Sequence, residues 1–143
     1  HKQPHRVLVI TKTNAYNLAS CPSVISVLQK LESELNFVVD TTTDASLFTN
    51  KNLTKYAAVI FLITTGDVVN DEQPKVFQKY IHSGKGFLGV HAATDTEYDW
   101  PWYNELVGAY FKSHPKQQEA VLNITDPTDP TVSHLPAKWK RFD

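Results

Sequence analysis

The sequence predicts an α/β protein built on a mostly parallel sheet. Four short apolar runs between Val7 and Val90 have the length and composition of strands buried on both faces. Between them lie segments whose apolar residues recur at helical spacing, as crossovers joining parallel strands require. Three of the four runs end in polar loops, the place where open α/β sheets bind ligands.

The first run is Arg6 to Thr11, with Val7, Leu8, Val9 and Ile10 contiguous. A turn-rich stretch from Thr13 to Ser20 separates it from a helix opening at Ser20 or Cys21, with Pro22 in the first turn, where a missing amide hydrogen does no harm. Val24, Val27, Leu28, Leu31 and Leu35 form the stripe of that helix, expected to cover the sheet. Phe37 to Asp40 reads as a second strand, and Asp44 to Phe48 as a small turn or helical segment. Tyr56 to Ile63 is the third strand, rich in branched and aromatic residues. Asp71 is a candidate cap for a second helix, with Pro74 in its first turn and Val76, Phe77, Tyr80 and Ile81 facing inward. Gly84 and Gly86 end that helix and lead into the fourth strand, Phe87 to Val90. Trp102 to Tyr110 contains a short helix, Ala120 to Thr125 reads as an outer strand, and Asp126, Pro127, Asp129 and Pro130 impose a loop.

Composition narrows the function classes. The 143 residues carry 14 Lys and Arg against 15 Asp and Glu, a formal charge of -1, which argues against an electrostatic nucleic-acid binder. The single Cys excludes an internal disulfide framework. No apolar run reaches the roughly 18 residues that suggest a membrane span, so neither nucleic acid nor membrane is expected as a partner. No phosphate-binding or dinucleotide glycine fingerprint follows a strand. The chain has no Met, and Lys138 to Asp143 reads as the start of another element. The expectation is one domain over residues 1–143, incomplete at its carboxyl end. Localisation stays open between the cytoplasm and export, with no visible signal peptide and two glycosylation sequons at Asn52 and Asn123.

Candidate site residues gather at the strand ends. The first end offers Thr11, Lys12, Thr13 and Tyr16, the third Thr64, Thr65, Gly66 and Asp67, and the fourth His91, Thr94, Asp95, Glu97 and Asp99. His91 stands out because Gly89, Val90, Ala92 and Ala93 surround it. Small residues at a strand-to-turn junction expose the central side chain, as in a nucleophile elbow. An imidazole there can serve as base, acid or metal ligand, or simply donate to a carbonyl. Asp95, four residues on, shares a face with His91 if the turn is α-helical. His114 completes a cluster that suits metal-free acid–base work, structural hydrogen bonding, or a divalent ion such as zinc held by His91, Asp95 and His114. Lys12 and Lys112 are candidates for orienting hydroxylated or anionic ligands. Trp100 and Trp102 are candidates for stacking on a sugar, and equally for a core beneath a loop. Cys21 lies in a different segment from His91 and is read as structural.

FLITTGDV at Phe61 to Val68, GFLGVHAATDTEYDWPWY at Gly86 to Tyr103 and LVGAYFKSHP at Leu106 to Pro115 resemble the trehalose-utilisation (ThuA-like) family. DASLFT at Asp44 to Thr49 and DEQ at Asp71 to Gln73 fit as well. The resemblance implies a three-layer α/β/α, flavodoxin-like sheet similar to class I glutamine amidotransferases. The thiol nucleophile of those enzymes is replaced at the elbow by His91, so glutamine hydrolysis is not expected. It also implies sugar utilisation, with Lys12, Thr65, His91, Asp95 and His114 as positions that serve the site. One departure stands out. Where the family often carries a Gly-Phe-Arg-His-like run, this chain has Ala15, Tyr16, Asn17 and Leu18.

Two functions follow. The first is a carbohydrate-utilisation enzyme acting on a disaccharide or keto-sugar by hydrolysis, isomerisation or elimination. Catalysis would rest on His91, Asp95 and His114, and substrate binding on Lys12, Tyr16, Thr65, Trp100, Trp102 and Lys112. The second is a non-catalytic carbohydrate-binding or regulatory module. In both, the partner is a small carbohydrate, and homo-oligomerisation is left open.

Overall fold

A computed structural model describes residues 3–13 and 21–143. The chain runs β1 (His5–Ile10), α1 (Cys21–Leu35), β2 (Phe37–Thr42), α2 (Asn50–Leu53), β3 (Ala58–Leu62), α3 (Gln73–His82), β4 (Gly86–Val90), α4 (Pro101–Val107), β5 (Glu119–Asn123) and β6 (Lys138–Phe142). It divides into two compact units, His1–Phe111 and Lys112–Asp143.

The first unit holds a four-stranded sheet in the order β2-β1-β3-β4, every neighbouring pair parallel. This is the start of the flavodoxin-like order, and it places the strand-order switch between β1 and β3. Alternation along the strands builds the layers. Leu8, Ile10, Val59 and Phe61 enter one core cluster, and Val9, Ile60 and Leu62 enter another. Val24, Ile25 and Leu28 of α1 pack on the second cluster. The first cluster takes Phe77 and Tyr80 of α3 and Tyr103 of α4, which makes three layers, α/β/α, as the family resemblance implies.

The α3 side is dominated by rings. Phe77 lies 5.4 Å from Phe48 and 5.5 Å from Phe61, and Phe61 lies 5.6 Å from Tyr103. Truncating a phenylalanine in such a cluster costs about 3–5 kcal/mol. Trp100 and Trp102, 5.0 Å apart, pack against Phe77 from the start of α4. Both indoles are half-buried and pack against the core cluster.

Three details differ from the sequence expectation. Asp71 does not cap α3. It sits at φ 51, and the turn is closed by Gln73, whose side chain accepts from the Asn70 amide at 3.1 Å while its own amide donates to the Asn70 carbonyl. A short helix, α2, follows Thr49, whose hydroxyl accepts from the Asn52 amide. β5 is not an outer strand of the parallel sheet. It pairs antiparallel with β6 in a separate two-stranded sheet, from Glu119 opposite Phe142 to Asn123 opposite Lys138. The intervening loop supplies a nearby partner. In it, Asp126 and Asp129 each accept from the amide and hydroxyl of the threonine two residues on.

Candidate site at the carboxyl ends of the parallel strands

The carboxyl ends of β1, β3 and β4 are tied to one another by backbone hydrogen bonds. The Thr65 amide donates to the Lys12 carbonyl, and the Ile63 amide to the Val90 carbonyl. Gly66 forms a parallel bridge with Thr96, donating to the Asp95 carbonyl at 2.9 Å and accepting from the Glu97 amide at 3.1 Å. Beneath that bridge the buried hydroxyls of Thr64 and Thr96 share a hydrogen bond of 2.9 Å. The loop after β3 and the turn after β4 therefore form one cross-linked layer.

His91 is exposed at the end of β4 with φ 54, in the left-handed region. A residue with a Cβ there costs roughly 1–2 kcal/mol, so the surrounding packing must hold it. Gly89 makes that packing possible. A Cβ on it would stand 3.1 Å from the Cβ of Ala93, the residue that folds back over the strand end. Tyr103 fastens the same turn from the core, its hydroxyl donating to the Ala93 carbonyl at 2.6 Å. The elbow read from Gly89, Val90, Ala92 and Ala93 corresponds to this geometry.

Asp95 lies just past the turn, but the turn is a 3-10 helix, His91–Thr94. At three residues per turn, residues three apart align and residues four apart do not. The Asp95 carboxylate instead accepts from the Tyr98 hydroxyl at 2.6 Å. That bond, with some burial, pushes the Tyr98 phenol up to about 12. The same hydroxyl lies 2.8 Å from the Phe111 carbonyl.

Lys12 is half-buried at the end of β1, and its ammonium donates to the Val68 carbonyl at 3.1 Å. Thr65 is buried at the end of β3. Lys12, Thr65, His91 and Asp95 thus share one end of one sheet. Tyr16, with Asn17 and Leu18, falls outside the described residues. Lys112 and His114 belong to the second unit. Among the described residues, no group of three or more His, Cys, Asp or Glu side chains is placed to hold a metal ion.

Glu97 is among the polar residues that the sequence places at the end of the fourth strand, with no individual role assigned to it. It is only 6 % exposed and has φ 54. Its Oε1 accepts from the successive amides of Val68 and Val69, each at 2.7 Å. Burial pushes its carboxyl above the ordinary value and Asp67 adds to the rise, while the two amides and Lys12 pull the other way. Its backbone carbonyl accepts from the Tyr110 hydroxyl. The available signal was an acid inside an aromatic run, Glu97 among Tyr98, Trp100, Trp102 and Tyr103. Such an acid needs fixed donors wherever the run is buried.

Chemically, the layer presents an exposed imidazole and a lysine ammonium that donates to a backbone carbonyl. No helix among the described residues is long and apolar enough to cross a membrane.

Comparison with known proteins gives the relationship. No curated protein matches the sequence. The chain is similar in structure to a ThuA-like protein from Bacteroides uniformis, with a TM-score of 0.81 at 23% identity, over 98% of this chain and 59% of that one. It is also similar to a ThuA-like protein from Parabacteroides merdae, with a TM-score of 0.74 at 25% identity, over 96% of this chain and 60% of that one. It therefore spans about three-fifths of the length of each. The trehalose-utilisation family, ThuA, matches residues 6–143, and the chain belongs to that carbohydrate-associated family.

Proposed function

We propose that this chain carries the sheet-end site of a carbohydrate-utilisation enzyme whose substrate is a disaccharide or keto-sugar. The observation that supports the reading best is the exposed His91, held in a left-handed elbow at the end of β4, in a chain matched to the trehalose-utilisation family over residues 6–143. His91 moves the proton. Lys12 and Thr65 flank the neighbouring strand ends and orient sugar oxygens. Asp95, paired with Tyr98, braces the turn that presents the imidazole. On a keto-sugar, proton removal beside the carbonyl leads to isomerisation or elimination. On a glycosidic bond, the same imidazole assists hydrolysis.

The test is turnover of disaccharides and their keto derivatives by the protein and by its His91→Ala and His91→Asn variants. Loss of general acid–base catalysis predicts a fall of roughly 10²–10⁴-fold in kcat for both. Undiminished turnover in both variants would refute the catalytic role. Saturable sugar binding with no turnover by the unaltered protein would point to the non-catalytic module instead.

A further inference from the structure

Glu97 stands behind the site in an arrangement that a surface loop has no need of. Two successive backbone amides, Val68 and Val69, converge on a single oxygen of a buried side chain that lies 29 and 28 residues away in sequence. Consecutive amides of this kind form a concavity that takes an anion. Here the protein fills it with its own carboxyl. The same loop is held at Val68 by Lys12 and at Gly66 by the bridge to Asp95 and Glu97. The turn that carries His91 connects to that bridge through Asp95, whose amide donates to the Ala92 carbonyl at 2.8 Å. Thr96 reaches the same carbonyl with its hydroxyl at 3.3 Å. Hydrogen bonds thus connect the Val68–Val69 amides to the backbone beside His91. Glu97 and His91 both sit at φ 54, so the segment between them is constrained at each end.

We propose that Glu97 is a positioning residue of the site: by occupying the amide pair of Val68 and Val69, it sets the His91 turn through the Gly66–Thr96 bridge. The proposal rests on the reading that the site lies at the ends of β1, β3 and β4, and it adds what assembles that site. Two devices share the task. Lys12 holds the Val68 carbonyl, Glu97 holds the amides on either side of it, and the loop is gripped through both polarities of its backbone.

The test is chemical rescue in the full chain, read by NMR without any substrate. In Glu97→Ala, the amide resonances of Gly66, Val68 and Val69 and the imidazole resonances of His91 are expected to shift together. Sodium formate, which supplies a carboxylate oxygen of matching size, is expected to return all of them toward their original positions. Sodium chloride at equal ionic strength is not. Glu97→Gln keeps an oxygen that accepts both bonds and is expected to hold the original positions. Should the alanine variant not fold, Glu97→Asp decides, because its oxygen is withdrawn by one methylene while the carboxylate remains. Concerted shifts of Val68, Val69 and His91 support the proposal. A His91 imidazole that stays in place while the two amides move would overturn it, and so would formate that restores none of the resonances. Turnover measured in parallel separates the two claims. Concerted shifts in a protein that acts on no sugar leave the positioning role standing and remove the proposed reaction. Sugar turnover without concerted shifts does the reverse.

Discussion

The loops at the carboxyl end of the parallel sheet and the loop between β5 and β6 are both polar, yet their buried and exposed side-chain hydrogen bonds differ in reach. In the second unit, Asp126 and Asp129 each bond the threonine two positions on, in the open. In the first, Thr64 meets Thr96 across 32 residues and Glu97 meets Val68 across 29, both buried. A local bond shapes a turn that water would otherwise solvate at little cost. A distant buried bond holds two segments together and leaves an unsatisfied group behind when it is lost. The difference teaches where polar composition signals architecture, and it can be broken at graded strength.

The largest effect is expected at Glu97. Replacing it with alanine strands two buried amides, at about 1–3 kcal/mol for each. The urea midpoint of the chain should fall accordingly, and recovery in Glu97→Gln would confirm the cause. A midpoint unchanged in the alanine variant would mean that water reaches both amides. Tyr103→Phe comes next. It removes only the hydroxyl bond to the Ala93 carbonyl, a loss of about 1 kcal/mol by the same denaturation.

The legibility of the chain follows the same divide. Val7 to Ile10 and Ala58 to Leu62 were readable as strands because a buried parallel strand needs an unbroken apolar run. His91 was readable as an elbow because Gly89 and Ala93 must be small for the turn to close. Glu97 is legible only as a polar residue at the fourth strand end, because its partners are backbone amides 28 and 29 residues away, and backbone amides leave no mark in the sequence. The pairing of Asp95 with His91 assumed an α-helical spacing. The turn is a 3-10 helix, and Tyr98 takes the carboxylate. Trp100 and Trp102 could be read either way, since rings suited to a sugar are equally suited to Phe77.

Two smaller effects sharpen the comparison further. The Glu97 carboxyl is raised above its unfolded value, chiefly by burial. The cost of keeping it charged therefore acts in full above its folded value and is relieved as pH falls through that value toward the unfolded one. Stability relative to Glu97→Gln should consequently shift in favour of Glu97 between pH 7 and pH 5, as measured by urea titration at both. A shift in the other direction would show that the two amides outweigh burial. The smallest effect is expected at Asp129→Ala, within about 0.5 kcal/mol, because the turn is exposed and its threonine is free to bond water. A larger loss would mean that this turn is as structural as the buried one.

β4 has a consequence for how this polypeptide behaves in concentrated solution. It is the terminal strand of the four-stranded sheet, and its five residues, Gly86–Val90, contain neither a charge nor a proline. Leu88 at its centre is 51% exposed. Terminal strands are normally blunted by lysine, proline or a bulge, since an open ladder of amides and carbonyls recruits further strands. This strand has none of those guards and adds an apolar side chain. The chain handled by itself should accordingly lose solubility by edge-to-edge association, with light scattering rising with concentration. Leu88→Lys, which places a charge on that face without entering the core, should delay the onset.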